Sequence, residues 1–362
     1  MDDVVQRLSE AIRDAAAQRR PLCIRGGGTK DFYGSAIRGD KLETAAYRGI
    51  VDYEPTELVI TARAGTPLAE IEAALREKGQ MLAFEPPHFG PGATLGGCVA
   101  AGLSGPRRAY AGAVRDFVLG VRILDGKGDH LRFGGQVMKN VAGYDVSRLM
   151  AGSLGTLGLL TEVSLKVLPL PVSETTLLLK RGELEAISLM NEWAARPLPV
   201  TATSYRDGDL GVRLSGARVA VDAAAKKIGG TVVDPAQAER FWAGIREQTD
   251  PFFAGDAPLW RLSVKPTTPP LGLPGGLLIE WSGALRWLKT GADPKTIRDA
   301  AAHSGGHATL FRGANKSAGA FQPLAPALMK LHSNLKRAFD PAGIGNLRAG
   351  QALDYLQHGG TA

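Results

Sequence analysis

The chain has 362 residues, 44% hydrophobic and 22% charged, which is ordinary for a globular fold and long enough for two or three subdomains with their own cores. Its formal net charge is +7, but the basic residues are dispersed and occur at most as pairs such as Arg19-Arg20 and Arg107-Arg108; with no basic run and no aromatic series, this argues against nucleic-acid recognition and for an acidic protein partner. The two cysteines, Cys23 and Cys98, form no C-x-x-C pair, which excludes a disulfide framework and an intrinsic iron–sulfur cluster.

The opening Met-Asp-Asp-Val-Val-Gln-Arg-Leu lacks the basic start and apolar core of a signal peptide. No apolar stretch reaches the ~18 residues of a membrane span, so the expected location is the cytoplasm, with membrane contact only through partners. Val4, Val5, Leu8, Ile12, Ala15 and Ala16 recur at helical spacing and predict an amphipathic helix over residues 3–18. A short strand over 22–24 runs into the loop Gly26 to Gly28, and a second strand over 58–62 leads to Gly65-Thr66-Pro67. There Thr66 is expected as an N-cap and Pro67 in the first helical turn, with Leu68, Ile71, Ala74 and Leu75 on the buried face. Strands over 118–124 and 130–133 form a hairpin whose Asp125-Gly126 pair is expected to supply φ > 0. After a strand over 161–167, Pro169 and Pro171 interrupt the ladder and place a domain boundary near Val172.

Residues 173 to about 310 alternate strand-like runs (175–179, 219–221, 277–281) with helical ones (184–195, 236–247), the pattern of a mixed α/β cap. Pro266 to Gly276 is loop-like. A strand follows His307, and a helix is expected over 324–339.

Glycine is in excess, 46 of 362 residues or about 13% against a usual ~7%. Arg25-Gly26-Gly27-Gly28-Thr29-Lys30 follows a strand, where three successive residues without Cβ can turn their N–H groups toward phosphate oxygens while Thr29 adds a hydroxyl. An ordinary tight turn is the alternative. A dinucleotide fingerprint fails, because Asp31 stands at its third glycine position; a P-loop fails at Gly120 to Gly128 on spacing and on the missing Ser/Thr. Further segments follow in order: Glu85-Pro86-Pro87 to Ala93-Thr94-Leu95-Gly96-Gly97, Lys139 to Asp145, Gly152 to Glu162, and the closing Phe339-Asp340-Pro341 to Asn346.

This set, in this order, resembles the FAD-binding domain of the vanillyl-alcohol oxidase (PCMH-type) flavoproteins, and within it the FAD-binding E subunits of bacterial glycolate oxidases. The resemblance covers residues 20–172 and 335–346. It implies an α+β protein with a PCMH-type FAD-binding domain over 1–172, a mixed α/β cap over 173–314, and a C-terminal segment, 315–362, returning to the flavin domain. It implies FAD on Arg25, Gly26, Gly27, Gly28, Thr29 and Lys30, and on Pro86, Ala93, Thr94, Gly96 and Gly97. Gly105, Gly112 and Asp116 continue that groove, although Asp116 equally suits a helix cap; Gly155, Gly158 and Leu159 serve the adenine end, and Asn346 belongs to the closing signature. Lys139, Tyr144 and Asp145 look like scaffold. Relatives attach FAD through a histidine or cysteine, but Thr29 and Lys30 occupy that stretch here, so noncovalent FAD is expected. The resemblance further implies a FAD-dependent 2-hydroxy-acid oxidoreductase turning glycolate into glyoxylate beside a second FAD-binding subunit and an iron–sulfur subunit that takes the electrons. A stand-alone dehydrogenase of another 2-hydroxy acid and a noncatalytic flavin-fold scaffold are the alternatives.

Oxidising a 2-hydroxy acid needs a base for the hydroxyl proton and a cation for the carboxylate. His307, at the start of a strand, is the candidate base, with Arg261 or Arg312 as the carboxylate clamp because the planar guanidinium matches a carboxylate bidentately. A strand-end histidine and surface arginines are the plain alternatives. The chain lacks the Gly-Asp-Gly-Asn motif of catalytic relatives, and two glycines between His303 and His307 argue against a helical metal pair, so no metal is expected.

Overall fold

Two antiparallel sheets organise the chain, each burying the alternating apolar residues of its strands. The computed structural model describes residues 2–35, 39–135, 145–313 and 315–345; Lys139, Tyr144 and Asn346 lie outside these. The first sheet runs, edge to edge, Ile50–Glu54, Val59–Arg63, Leu159–Lys166, Val118–Leu124, His130–Gly134. Ile60, Ala62, Val121, Val163 and Leu165 fill one face against the helices Leu68–Glu77 and Leu95–Ala101. On the other face the Thr61 and Ser164 hydroxyls hydrogen-bond at 2.8 Å. The opening helix, Asp3–Ala17, is capped by the Asp2 side chain and lays Val5, Leu8, Ile12 and Ala15 on the parallel strand pair Leu22–Arg25 and Asp40–Glu43.

Two local expectations change. Thr66 does not cap the helix after it: its Oγ1 accepts the Gly49 N–H at 2.9 Å and donates to the Arg63 carbonyl at 2.7 Å, so the helix starts at Leu68, whose own N–H goes to the Ala93 carbonyl. In the hairpin turn the left-handed residue is Gly128, φ 75°, and not Gly126; Asp125 Oδ1 accepts the Lys127 and Asp129 amides and closes the turn there.

The second sheet has eight strands, all antiparallel, in the order Thr231–Val232, Ser173–Lys180, Asp209–Gly216, Val200–Arg206, Gly276–Glu280, Leu285–Lys289, Leu259–Ser263, His307–Arg312. Helices Glu183–Ala194 and Arg218–Ile228 cover one face over Leu177, Leu210, Val212, Leu214 and Ile279, and Pro294–His303 covers it over Trp260, Leu288 and Leu310. The expected strand at 219–221 is therefore helix. The alanine run Ala223-Ala224-Ala225 outweighs two valines, and helical spacing buries Val221 and Ala224 while leaving Val219 in solvent.

The opposite face turns toward the first domain, where Leu259, Leu278, Leu285, Trp287 and Phe311 pack on Tyr33, Leu103 and Leu154. Glu85, left-handed at φ 50°, joins the two halves: its carboxylate meets Arg213 at 2.8 Å and Arg107 at 3.5 Å, and Arg107 reaches Glu174. Burial pushes the Glu85 carboxyl up, but the two guanidinium groups outweigh it and hold it below its ordinary value. Glu247, ending the cap helix Pro235–Glu247, accepts the His88 and Phe89 amides. The last helix, Pro326–Phe339, packs Phe339 on Phe133 and buries the Lys336 ammonium between the Thr156 and Gly345 carbonyls and Asp340. Among the described residues no helix is long and apolar enough to cross a membrane.

Candidate functional site

Strand Leu22–Arg25 delivers the chain into a loop with an unusual hydrogen-bond inventory. Among the described residues the amides of Gly26, Gly27, Gly28, Thr29 and Lys30 donate to no group of the chain; Asp31 and Tyr33 are the first to do so, to the Gly28 and Lys30 carbonyls. Gly28 is left-handed at φ 71°, a conformation that in a run of free amides can turn successive N–H groups to one side. Arg25 folds across the loop, Nε 2.8 Å from Asp31 and NH1 3.6 Å from Glu43, and it occupies the space a Cβ on Gly28 would need.

The reason for the other glycines differs from the expected one. A Cβ on Gly27 would overlap the Gly92 carbonyl, and one on Gly26 the Thr94 hydroxyl. These two positions let loop pack on loop, and the free amides follow from the path that packing imposes.

A cleft opens over these amides. Its wall takes in Arg25, Gly26, Gly27, Gly28, Thr29, Lys30, Thr94, Gly96, Gly97, Gly155 and Gly158, all expected, together with Ile24, Asp31, Tyr33, Thr44, Ala64, Ala100, Ala101, Leu154 and Leu160, which sequence reasoning missed. Thr94 caps the helix Leu95–Ala101, accepting the Gly97 N–H at 3.3 Å. Of the missed residues, Leu154 carries a signal visible only in the backbone, a left-handed φ of 55°.

The remaining expected residues stand off this wall. Leu159 turns into the core beneath the opening helix, and its neighbour Leu160 faces the cleft. The Ala93 carbonyl accepts the Leu68 N–H, and Pro86 is buried beside Glu85. The Gly105 carbonyl accepts the Trp281 Nε1–H at 3.0 Å, across the domain boundary. Gly112, φ 106°, ends a helical turn beside Asp116, and Asp116 Oδ2 accepts the Ala113 N–H at 2.8 Å, the cap reading of that residue.

Burial shifts Lys30, which lines the cleft, and Cys98, which follows Gly97 in the chain but is buried off the wall. Burial lowers the Lys30 ammonium below the ordinary lysine value; its Nζ donates to the His88 carbonyl at 3.2 Å. Burial pushes the Cys98 thiol up to about 12, with Lys30 opposing weakly, so at neutral pH it is no nucleophile.

Tyr33, Ala101 and Leu154 line the cleft and also belong to the interdomain cluster, so the cleft ends at the cap. There Arg108, from the first domain, and Arg261, from the cap, lie 4.2 and 5.1 Å from the Trp281 ring centre. Among the described residues neither has a carboxylate within salt-bridge distance. Burial lowers both guanidinium groups, and the charge of Arg261 lowers Arg108 further. Tyr110 bonds Ser282 at 2.7 Å nearby. Glu280 is buried, its carboxyl accepting the Trp287 Nε1–H at 2.7 Å, and desolvation raises it to about 7.

His307 pairs across the sheet with Ser263, two positions along from the Arg261–Thr309 pair and so on the same face; desolvation and then the charge of Arg261 hold it below the ordinary histidine value, though the residue is exposed at its strand's start. Arg312 sits at the far end of that strand, roughly 16 Å along at ~3.3 Å per residue. It stacks on Phe32 at 4.0 Å and donates to Gln248, which parts it from the other two. Arg108 was missed because a single arginine in a pair carries no pattern. Among the described residues no three of His, Cys, Asp and Glu converge as a metal site.

The FAD binding domain family matches residues 4–134. The chain is 50% identical over 344 residues to glycolate oxidase subunit GlcE of Escherichia coli (strain K12), covering 95% of this chain and 96% of that one. It is 30% identical over 198 residues to glycolate oxidase subunit GlcD of Bacillus subtilis (strain 168), covering 54% of this chain and 42% of that one. A D-2-hydroxyglutarate dehydrogenase of Xanthomonas citri pv. viticola is 29% identical over 177 residues, 48% of this chain and 37% of that one. Among solved structures, an alkyldihydroxyacetonephosphate synthase superposes with a TM-score of 0.68 over 94% of this chain and 75% of its own, at 15% identity, a likeness of fold alone. The end-to-end match joins the flavin fold and the glycine-lined cleft in one conclusion: the chain belongs to the family of glycolate oxidase E subunits, FAD-binding oxidoreductases of the PCMH-type fold.

Proposed function

We propose that the chain is the FAD subunit of a glycolate oxidase-type complex in the cytoplasm, binding FAD without a covalent bond, oxidising glycolate to glyoxylate, and passing electrons to an iron–sulfur partner beside a second flavin subunit. One observation carries this reading: the alignment to a glycolate oxidase subunit runs through the cap as well as the flavin domain, 95% of the chain. The fit to FAD rests on the run of free amides, which suits a pyrophosphate. When bound, FAD supplies the two-electron acceptor for the hydroxyl-bearing carbon. In this reading Arg261 and Arg108 hold the substrate carboxylate between the domains, Trp281 keeps both guanidinium planes in place, and neutral His307 accepts the hydroxyl proton. With two cysteines and no C-x-x-C pair, the chain has no ligand set for a cluster, so a separate subunit takes the electrons onward.

A relay role without turnover is the second reading, favoured by the exposure of His307, which lets water reach the ring. Anaerobic glycolate added to the purified chain decides between them. Bleaching of the visible flavin absorbance is the expected result; a yellow protein that glycolate leaves unchanged, yet active once the partner subunits are added, assigns the chemistry to the partner.

A further inference from the structure

The turn that carries Trp281 is built against its own backbone preference. Between the strands Gly276–Glu280 and Leu285–Lys289, the residues Trp281, Ser282 and Gly283 are left-handed in succession, at φ 53°, 56° and 98°. Among the described residues nowhere else do two adjacent residues with a Cβ adopt this region, and a tryptophan in it is an outlier that the surrounding structure must hold in place.

Both domains hold it. From the cap, the Thr203 hydroxyl accepts the Ser282 N–H at 3.1 Å, the Asn191 amide donates to the Ser282 carbonyl at 3.2 Å, and Arg286 Nε donates to the Gly283 carbonyl at 3.3 Å. From the first domain one short segment touches the turn three times: the Gly105 carbonyl accepts the indole N–H at 3.0 Å, the Arg108 guanidinium lies 4.2 Å from the ring centre, and the Tyr110 hydroxyl bonds the Ser282 hydroxyl at 2.7 Å. A hairpin needs none of this to reverse its direction, because glycine enters the left-handed region freely. What glycine cannot supply is the indole, on which Arg261 of the cap also rests, 5.1 Å from its centre.

On the reading of these two arginines as the carboxylate clamp, we propose that the left-handed turn at Trp281–Gly283 is the device that sets the clamp, with Tyr110, Thr203 and Asn191 as positioning residues. The turn fixes one ring at the domain joint, and the ring fixes two like charges from different domains near each other. Neither guanidinium has a carboxylate of the chain within salt-bridge distance, so an anion from solution is what completes the pair.

The test uses the purified full-length chain with FAD bound and, as probe, oxalate, a small carboxylate with no hydrogen on carbon to give up. Binding is read by calorimetry and by the shift of the flavin absorbance. Tyr110→Phe with Thr203→Val, which together remove two hydroxyls and little volume, should weaken oxalate by about tenfold, the scale of one charge-assisted hydrogen bond, with FAD content unchanged. Added to Arg108→Met, the same pair should weaken it no further, because its effect runs through that guanidinium. Ser282→Gly separates positioning from stability, and decides alone should the hydroxyl pair lose FAD. Relieved of the left-handed cost, it should melt above Ser282→Ala, yet bind oxalate more weakly than Ser282→Ala does. A second tenfold loss from the hydroxyl pair on top of Arg108→Met, or an affinity that rises with melting temperature across the Ser282 variants, makes the turn structural only and overturns the proposal. Parent-like affinity in the hydroxyl pair, with Arg108→Met and Arg261→Lys both weakened, overturns it and leaves the clamp standing. Parent-like affinity in both arginine variants, or no oxalate binding by the parent, overturns the clamp and the positioning role together.

Discussion

Replacing Glu280 with glutamine should make the protein more stable, and by an amount that depends on pH in a calculable way. The carboxyl is buried at the domain interface, where it accepts the Trp287 indole N–H, and desolvation raises it from 4.5 to about 7, more than the pull of that hydrogen bond and of Arg261 can offset. A carboxyl raised on folding binds more protons in the native than in the unfolded state. Its contribution to stability is therefore complete below pH 4.5 and is lost as pH rises through about 7. A shift of this size is worth about 3 kcal/mol at ~1.4 kcal/mol per unit. Glutamine keeps the acceptor for Trp287 and never ionises. Urea unfolding of both proteins at a series of pH values isolates the effect, because every other titration cancels in the difference. The glutamine variant should gain about 3 kcal/mol on the parent between pH 4.5 and 8, levelling off above 7. Parallel stability–pH curves would refute the burial argument, and a widening gap below pH 4.5 would reverse its sign.

Gly97→Ala should leave the apoprotein as stable or more so, since alanine favours a helix by up to ~1 kcal/mol, yet weaken FAD binding in a fluorescence titration; unchanged affinity would remove Gly97 from the cofactor wall. Acid denaturation should release all the flavin, because Cys98 is buried with its thiol pushed up to about 12, and an intact mass heavier by one FAD would show otherwise. Arg261→Lys and Arg108→Met should each mainly raise the KM for glycolate, the first by losing the bidentate fork and the second by losing the charge, with FAD content as the control; unchanged KM in both sinks the clamp. His307→Ala should cost ~10²–10⁴-fold in rate and abolish the acid limb of the pH–rate profile, a limb expected below the ordinary histidine range because the ring is held down by desolvation and Arg261.

Much of the flavin domain was legible because its signals are local. The opening helix, the strand before the triple glycine and the 118–134 hairpin each follow from periodicity or turn chemistry within a dozen residues. The cap was less so: Val219 and Val221 look like a strand until the surrounding alanines and the sheet beneath them impose a helix. Leu159 was assigned to the cleft for want of a register. The pairing of the strand Leu159–Lys166 with Val118–Leu124 slips between Arg122 and Ile123, so Glu162 and Leu160 are successive partners and Thr161 bulges. One residue of slip exchanges the faces of everything before it, which turns Leu159 to the opening helix and Leu160 to the cleft. Arg108 and Arg261 stand 153 positions apart in sequence numbering by simple subtraction, and only the packing of cap on flavin domain brings them to one indole.

The glycines show where residue type stops being informative. A glycine kept for a ligand and one kept for a neighbouring loop read identically in sequence, yet the two respond oppositely to substitution. At Gly26, Gly27 and Gly28 a side chain would meet Thr94, the Gly92 carbonyl and Arg25, so any larger residue there displaces the loop before it touches a cofactor. Flavin lost from Gly27→Val would then report a broken loop. At Gly97 an added Cβ meets only the Thr94 hydroxyl, at 3.1 Å, a contact that a small side-chain rotation relieves, and the remaining space is the cleft. Affinity lost at Gly97 with stability retained is thus the measurement that separates contact with FAD from support of the fold, and the loop's five free amides owe their geometry to the first kind of glycine while the cleft owes its room to the second.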